Sequence, residues 1–315
     1  MSGAPEEDKP WWRLPAAKFP SPETLRWVAE ACGKSARVVA SRRLTGGIIS
    51  SVHRLTVENT AGTRSQVVLR RYLGSDRAQR PADSIRREAA VLQALQQTGL
   101  PVPRLLAADP EGQAAGGFPA LLMSTTRGSV HLAPRDPRSW LKQMASMAAR
   151  IHNLTLEAPL RTRAASPSQR QVPAWVADPE VWRQAISATA GRSPVLRAFI
   201  HADYQHFNLL WARGRLTGVV DWVSSAFGHP DTDVGHCRLN LAVLFSPDYA
   251  EQFRLAYEAE AGRNVDPWYD LTELMQYSPD WQGFIPIQVA GRVPVDTVGM
   301  TARVEEVMRA TLARG

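Results

Sequence analysis

The sequence predicts a two-lobe α+β fold, an antiparallel sheet with one helix followed by a mainly helical lobe. Three observations predict it. Strand-type alternation punctuated by turn residues fills roughly residues 38–72. Helical periodicity dominates after Thr125. Around residues 199–221, short strands and turns interrupt the helices and carry a cluster of His, Asp and Asn.

The elements follow in order. Residues 50–57 form a strand with Val52, Leu55 and Val57 as apolar positions; Asn59 to Gly62 turn the chain, and residues 67–69 open the return strand of a hairpin. Asp83 or Ser84 caps a helix reaching about Thr98, with Ile85, Ala89, Leu92 and Leu95 as its stripe and Gly99 and Pro101 as its stop. Residues 103–107 and 120–124 read as two more strands joined by the Gly-rich stretch 109–117. Residues 140–153 form a helix with Leu141, Met144, Ala148 and Ile151 on one face, residues 164–173 a polar loop, and helices dominate from about Val234 onward. Residues 1–22, Pro-rich and carrying Trp11 and Trp12, read as a poorly ordered tail able to dock through its tryptophans. The predicted divisions are therefore this tail at 1–22, a first lobe at 23–125 and a second at 126–315.

The composition excludes several classes. A hydrophobic fraction of 44% with 21% charged residues is that of an ordinary globular protein. No apolar run approaches the roughly 20 residues of a membrane span, and the N-terminus lacks the apolar core of a secretory signal, so a cytoplasmic protein with no membrane partner is expected. Cys32 and Cys237 match no metal or redox spacing and are expected as free thiols. The net charge is +7, but the arginines are scattered, so no nucleic-acid partner is expected. The charge is uneven: residues 230–280 hold ten acids against Arg238, Arg254 and Arg263, a net −7 that leaves +14 elsewhere.

The chemistry concentrates in His201-Ala202-Asp203-Tyr204-Gln205-His206-Phe207-Asn208 and, after the apolar run 216–220, Asp221. One carboxylate to accept a hydroxyl proton, with an amide and a second carboxylate as hard oxygen ligands for magnesium, is the set that phosphoryl transfer requires. Upstream, Gly46 and Gly47 with Ser50 and Ser51 can bring backbone N–H and hydroxyl donors to phosphate. Arg70 ends a strand and Glu88 lies early in the next helix, a cation held by an acid for the α- and β-phosphates. The only lysines are Lys9, Lys18, Lys34 and Lys142, none between the glycines and Glu88, so an arginine must serve there.

These pieces, in this order, resemble the aminoglycoside phosphotransferase and choline kinase-like family, which has a protein-kinase-like fold. The resemblance runs from about Arg43 to Leu241 and includes residues 44–51, 68–70, Arg87-Glu88, 100–103, Ile151-His152, 201–208, 220–222 and Gly228-His229-Pro230-Asp231-Thr232-Asp233. It implies that Asp203 is the catalytic base, that Asn208 and Asp221 bind Mg2+, and that Arg70 with Glu88 orients ATP (or GTP) between the lobes. It implies further that Met123 and Ser124 meet the purine through their backbone in a lobe-connecting segment. Asp233 would brace the catalytic loop, with His201 and His152 as scaffold. Arg70 departs from the commoner lysine, Ala202 from a common glycine, and Phe207 from a common glycine before the Asn.

The implied partner is a small hydroxylated substrate. The stretch from Asp221 to Asp233 is short for docking a protein. The acid-rich segment, with Tyr249, Trp268, Tyr269, Tyr277 and Trp281, raises the expectation of a cationic acceptor such as an aminoglycoside, with macrolides, other metabolites and an inactive nucleotide-binding form as alternatives. Oligomeric state and the choice between a resistance and a metabolic role are not legible in the sequence.

Overall fold

The computed structural model of the chain describes residues 19–44, 50–72 and 81–315. The chain divides into two compact units, one of residues up to Ala89 with Arg104–Thr125, the other of Ala90–Pro103 with Thr126–Gly315. Residues 90–103 thus group with the helical unit. Gly46, Gly47, Trp11 and Trp12 lie outside the described residues.

The first unit begins with α1 (Pro22–Cys32), which the sequence reading did not anticipate. Ser21 caps it by accepting from the Thr24 N–H at 3.3 Å, and Pro22 occupies a position where no N–H is needed. Its apolar signal is thin because only Thr24 and Val28 are buried. Strands β1 (Arg37–Arg43), β2 (Ser51–Glu58) and β3 (Arg64–Arg71) follow, then α2 (Pro81–Leu95), β4 (Leu105–Asp109) and β5 (Ala120–Ser124). The strands form one antiparallel sheet in the order β1-β2-β3-β5-β4. Leu55, Val57, Val67, Leu69, Ala120 and Leu122 pack with Val28 as its core. Asp109 accepts from the N–H groups of Ala114 and Ala115, both at 2.7 Å, and so closes the Gly-rich loop.

The second unit contains α3 (Pro137–His152), β6 (Arg161–Thr162), α4 (Pro179–Thr189), β7 (Ala198–Ile200), β8 (Leu209–Ala212), β9 (Arg215–Val219) and β10 (Ala226–Gly228). Helices α5 (Pro230–Leu244), α6 (Pro247–Ala261), α7 (Pro267–Leu274), α8 (Asp280–Val289) and α9 (Met300–Leu312) complete it. Helix α5 is buried on every side, from Asp231 and Asp233 at its start to Val243 near its end, and packs on α6, α7 and α9. A helix so enclosed needs no polar face. Its closest neighbour is α7, admitted by Gly235. A Cβ there would fall 2.9 Å from the Glu273 Cβ and 3.1 Å from the Asp270 Cα.

Six acids of the acid-rich segment pair with arginine. Arg263 pairs with Asp231, Arg192 with Asp266, Arg163 with Glu273, and Arg238 and Arg314 with Asp270. Arg254 bridges Glu251 and Glu258. Trp268, Tyr269 and Tyr277 are buried with them. Arg163, Arg192 and Arg314 of these pairs come from outside the segment, while Asp248, Glu260 and Asp280 are exposed. No helix among the described residues is long and apolar enough to cross a membrane. Cys32 and Cys237 are free thiols.

Gly235→Ala should lower the unfolding free energy by about 1–3 kcal/mol, because backbone rather than a flexible tip must move to admit the methyl group. Urea titration checks this; an unchanged midpoint would show that α5 and α7 can separate without cost.

Candidate active site

The loop between β7 and β8 is built around a strained residue. Ala202 has φ +63°, a conformation that costs a residue with a Cβ roughly 1–2 kcal/mol and explains why glycine suits this position. Asp233, from the first turn of α5, holds it there. Its carboxylate accepts the His201 N–H and the Ala202 N–H, both at 2.7 Å. The same carboxylate meets His152 Nε2 at 3.2 Å, and His152 Nδ1 meets the Tyr257 hydroxyl at 2.8 Å. Arg163 donates to the Ala202 carbonyl. His201 is fully buried; its Nε2–H donates to the Val220 carbonyl at 3.0 Å and its ring lies against Trp222. Tyr204 anchors the loop to α3 by donating to the Met144 carbonyl at 2.6 Å.

Asp203 projects from this frame with 31% of its side chain exposed, open enough for a hydroxyl to reach it. Oδ1 accepts from Gln205 Nε2 at 2.8 Å and His236 Nε2 at 3.0 Å; Oδ2 accepts from Asn208 Nδ2 at 3.0 Å. Asn208 Nδ2 also donates to the Asp203 carbonyl at 2.9 Å. With its nitrogen so committed, Asn208 keeps Oδ1 as an oxygen donor. The β8–β9 hairpin, pairing Leu209 with Val219, then brings Asp221 to the same place: the Val220 N–H donates to the Asn208 carbonyl at 3.0 Å. Asp221 takes φ +69°, a second non-glycine residue in the left-handed region. Asn208 thus touches Asp203 through its side chain and the residue before Asp221 through its backbone. Phe207 is buried against His206 and under the Arg292 guanidinium. Burial pushes His206 down to about 3, so it packs as a neutral ring among Trp140, Phe207 and Phe245.

Sequence reasoning missed His236. Burial acts to lower it, but the hydrogen bond and charge of Asp203, with Glu273 behind, push it up to about 9, so the ring is an imidazolium at neutral pH. Burial acts to raise Asp203, and His236, His201 and Gln205 together outweigh it, holding the carboxyl below its usual value. The available signal was its place three residues after Asp233 on one helix, hence on the same face.

In the first unit, Arg70 Nη1 donates to both Glu88 oxygens at 2.9 and 3.0 Å, and both residues are buried. Ser51 is buried with its hydroxyl 3.4 Å from His53 Nδ1, and Ser50 is half-buried just before β2. Met123 and Ser124 are the last two residues of β5, next to the end of the first unit at Thr125. Both lie inside β5: Met123 pairs with Val68 and Leu105, and the Ser124 N–H donates to the Arg104 carbonyl at 2.8 Å. That N–H is thus unavailable to a purine. Gly46 and Gly47 fall outside the described residues.

Two outcomes follow from this geometry. Asp233→Ala leaves two buried N–H groups without their acceptor and should cost about 2–5 kcal/mol by urea titration; a loss under about 1 kcal/mol would contradict the bracing role. His236 lies above its unfolded value of 6.5, so its contribution is fully present below that pH and is lost as pH rises through about 9. Urea midpoints should fall over that window in the native chain and fall less in His236→Gln; equal slopes would contradict the assignment.

Solved structures of similar architecture include a thermostable mutant of aminoglycoside phosphotransferase APH(4)-Ia in ternary complex with AMP-PNP and hygromycin B. It shows 18% identity, with 94% of this chain and 99% of that one covered and a TM-score of 0.57. Macrolide 2'-phosphotransferase MphH from Brachybacterium faecium shows 18% identity, 93% and 99% coverage and a TM-score of 0.53. Amicoumacin kinase hAmiN, in complex with AMP-PNP and Ca2+, shows 13% identity, 86% and 88% coverage and a TM-score of 0.53. These likenesses show a protein-kinase-like phosphotransferase fold. Compared with curated proteins, the sequence matches none. The model of the phosphotransferase enzyme family (APH) matches residues 41–282, which span β2 to β5, the strained loop, Asp221 and α5. The chain belongs to that phosphotransferase enzyme family.

Proposed function

We propose that the protein transfers the γ-phosphoryl group of ATP (or GTP) to a hydroxyl of a small molecule. The observation that carries this reading is the partly exposed Asp203 carboxylate, fixed by Gln205, His236 and Asn208 beside Asp221. In the reaction the acceptor oxygen forms a bond to the γ-phosphorus while the bond from that phosphorus to the β,γ-bridging oxygen breaks. The acceptor proton passes to Asp203 and ADP leaves. Asp203 orients the hydroxyl; it need not be a strong base, because phosphoryl transfer places little proton-transfer demand early on the path.

The donor set suits magnesium. Asn208 Oδ1 and the Asp221 carboxylate are hard oxygens, and Mg2+ is commonly held by one or two protein groups with phosphates and water supplying the rest. When bound, the ion would neutralise charge on the β- and γ-phosphates. Arg70, steadied by Glu88, would hold the α- and β-phosphates, a bidentate role for which guanidinium is suited.

The acceptor is a small hydroxylated compound. Solved structures of similar fold carry hygromycin B or amicoumacin, or are named for macrolides. ADP release measured with ATP and with GTP against aminoglycosides, macrolides and choline-like alcohols identifies the acceptor. Asp203→Ala should reduce the rate with the best acceptor by about 10²–10⁴-fold, and Arg70→Met should raise the KM for nucleotide by roughly tenfold or more. Background rates in the native chain for every acceptor, equal to those of Asp203→Ala, would favour a nucleotide-binding protein without turnover.

A further inference from the structure

The Asp203 carboxylate is not held by its own loop alone. We infer that His236 of α5, backed by Glu273 of α7 and Arg163, is the positioning residue that fixes the orientation of Asp203 for the incoming hydroxyl. The inference deepens the phosphotransfer reading and rests on it for its catalytic meaning.

The geometry is a line of alternating charges. His236 Nε2 donates to Asp203 Oδ1 at 3.0 Å. Its Nδ1 lies 3.7 Å from Glu273 Oε2, a charge contact rather than a hydrogen bond. Glu273 is buried to 1% and takes Arg163 Nη2 on both oxygens at 3.2 Å. Arg163 also donates to the Ala202 carbonyl, so the line returns to the residue before Asp203. Asn240 Nδ2 lies 3.2 Å from His236 Nε2 but cannot donate to a nitrogen that carries a proton; it donates instead to the His236 carbonyl at 2.9 Å. That bond orients the helix face without competing for Asp203.

Two features separate this arrangement from an ordinary buried histidine. His236 spends its Nε2–H on a partly exposed carboxylate rather than on a backbone carbonyl, as the neighbouring His201 does. The line also crosses three distant segments, around residues 163, 236 and 273, and depends on Gly235 to bring α7 close. Asn208 and Gln205 alone would leave the carboxylate held from its own loop; His236 ties it to the helix that braces that loop. The Asp203 oxygens then stay aimed without rotation when a hydroxyl arrives, which is the positioning that phosphoryl transfer rewards.

The test compares His236→Ala with His236→Gln, whose Nε2 can reach the same oxygen as a donor. Crystal structures of both variants should show Asp203 in its native seat in the Gln variant and turned or divided between conformers in the Ala variant. With Mg-ATP and water as acceptor, kcat for ADP release should fall roughly 10- to 100-fold in His236→Ala, with KM for Mg-ATP within about threefold and most of the loss recovered in His236→Gln. Thermal unfolding of both variants tracks folding separately. An Asp203 carboxylate seated natively in His236→Ala overturns the inference, as does a loss of kcat that His236→Gln shares in full. If the native chain itself releases no ADP with any acceptor, the phosphotransfer reading fails, and the crystallographic comparison still decides whether His236 positions Asp203.

Discussion

The structure of the candidate site depends on one carboxylate that does no chemistry. Asp233 reaches from α5 to the N–H groups of His201 and Ala202 and holds the chain in a left-handed turn that alanine would not adopt unaided. From that turn Asp203 faces outward, Tyr204 faces α3, and the 206–208 turn delivers Asn208 to the start of β8. If this bond pair failed, the loop would relax toward an extended conformation and the oxygens of Asp203, Asn208 and Asp221 would no longer share a place. The buried helix α5 is therefore the foundation of the site, and its unusual all-round burial follows from carrying Asp233 and His236 toward the loop while packing α6, α7 and α9 on its other sides.

Charge in this unit is managed in pairs. Arginines from well separated positions neutralise the acids of α5, α6 and α7, and the pairs are mostly buried. Such pairs stabilise less than their number implies, because desolvation offsets much of the attraction, but each one is costly to break. Their consequence is geometric: Glu273, fixed by Arg163, stands behind His236 and favours its charged form. A site that keeps Asp203 ionised and oriented is suited to a reaction in which placement and charge neutralisation outweigh proton abstraction.

The proximity of Asp203 and Asn208 to the strand end before Asp221 was legible in the sequence, because the three lie within nineteen positions joined by a turn and a hairpin. The Arg70 and Glu88 pairing was legible for a similar reason, one strand and the next helix. His236 was not, since it approaches Asp203 only through the tertiary placement of α5, and its one mark in the sequence is the three-residue spacing from Asp233. The pairing of the acid-rich segment with Arg163, Arg192 and Arg314 was not legible, because those partners are far from it along the chain. Helix α1 escaped notice because a Ser-Pro cap beside a polar tail hides a stripe of only two buried residues. The strand at 120–124 was legible to the residue, since its apolar run Ala120 to Met123 pairs with β3 and β4.

The central claim is that the oxygens of Asn208 and Asp221 hold a divalent ion on a nucleotide whose γ-phosphate faces Asp203. A crystal grown with Mn2+ and AMP-PNP, read by anomalous scattering, tests it most directly. The account predicts one manganese peak within about 2.0–2.3 Å of Asn208 Oδ1 and an Asp221 oxygen, with the γ-phosphorus on the side of Asp203. A nucleotide bound with its metal on other residues, or with the γ-phosphate turned away from Asp203, would contradict it.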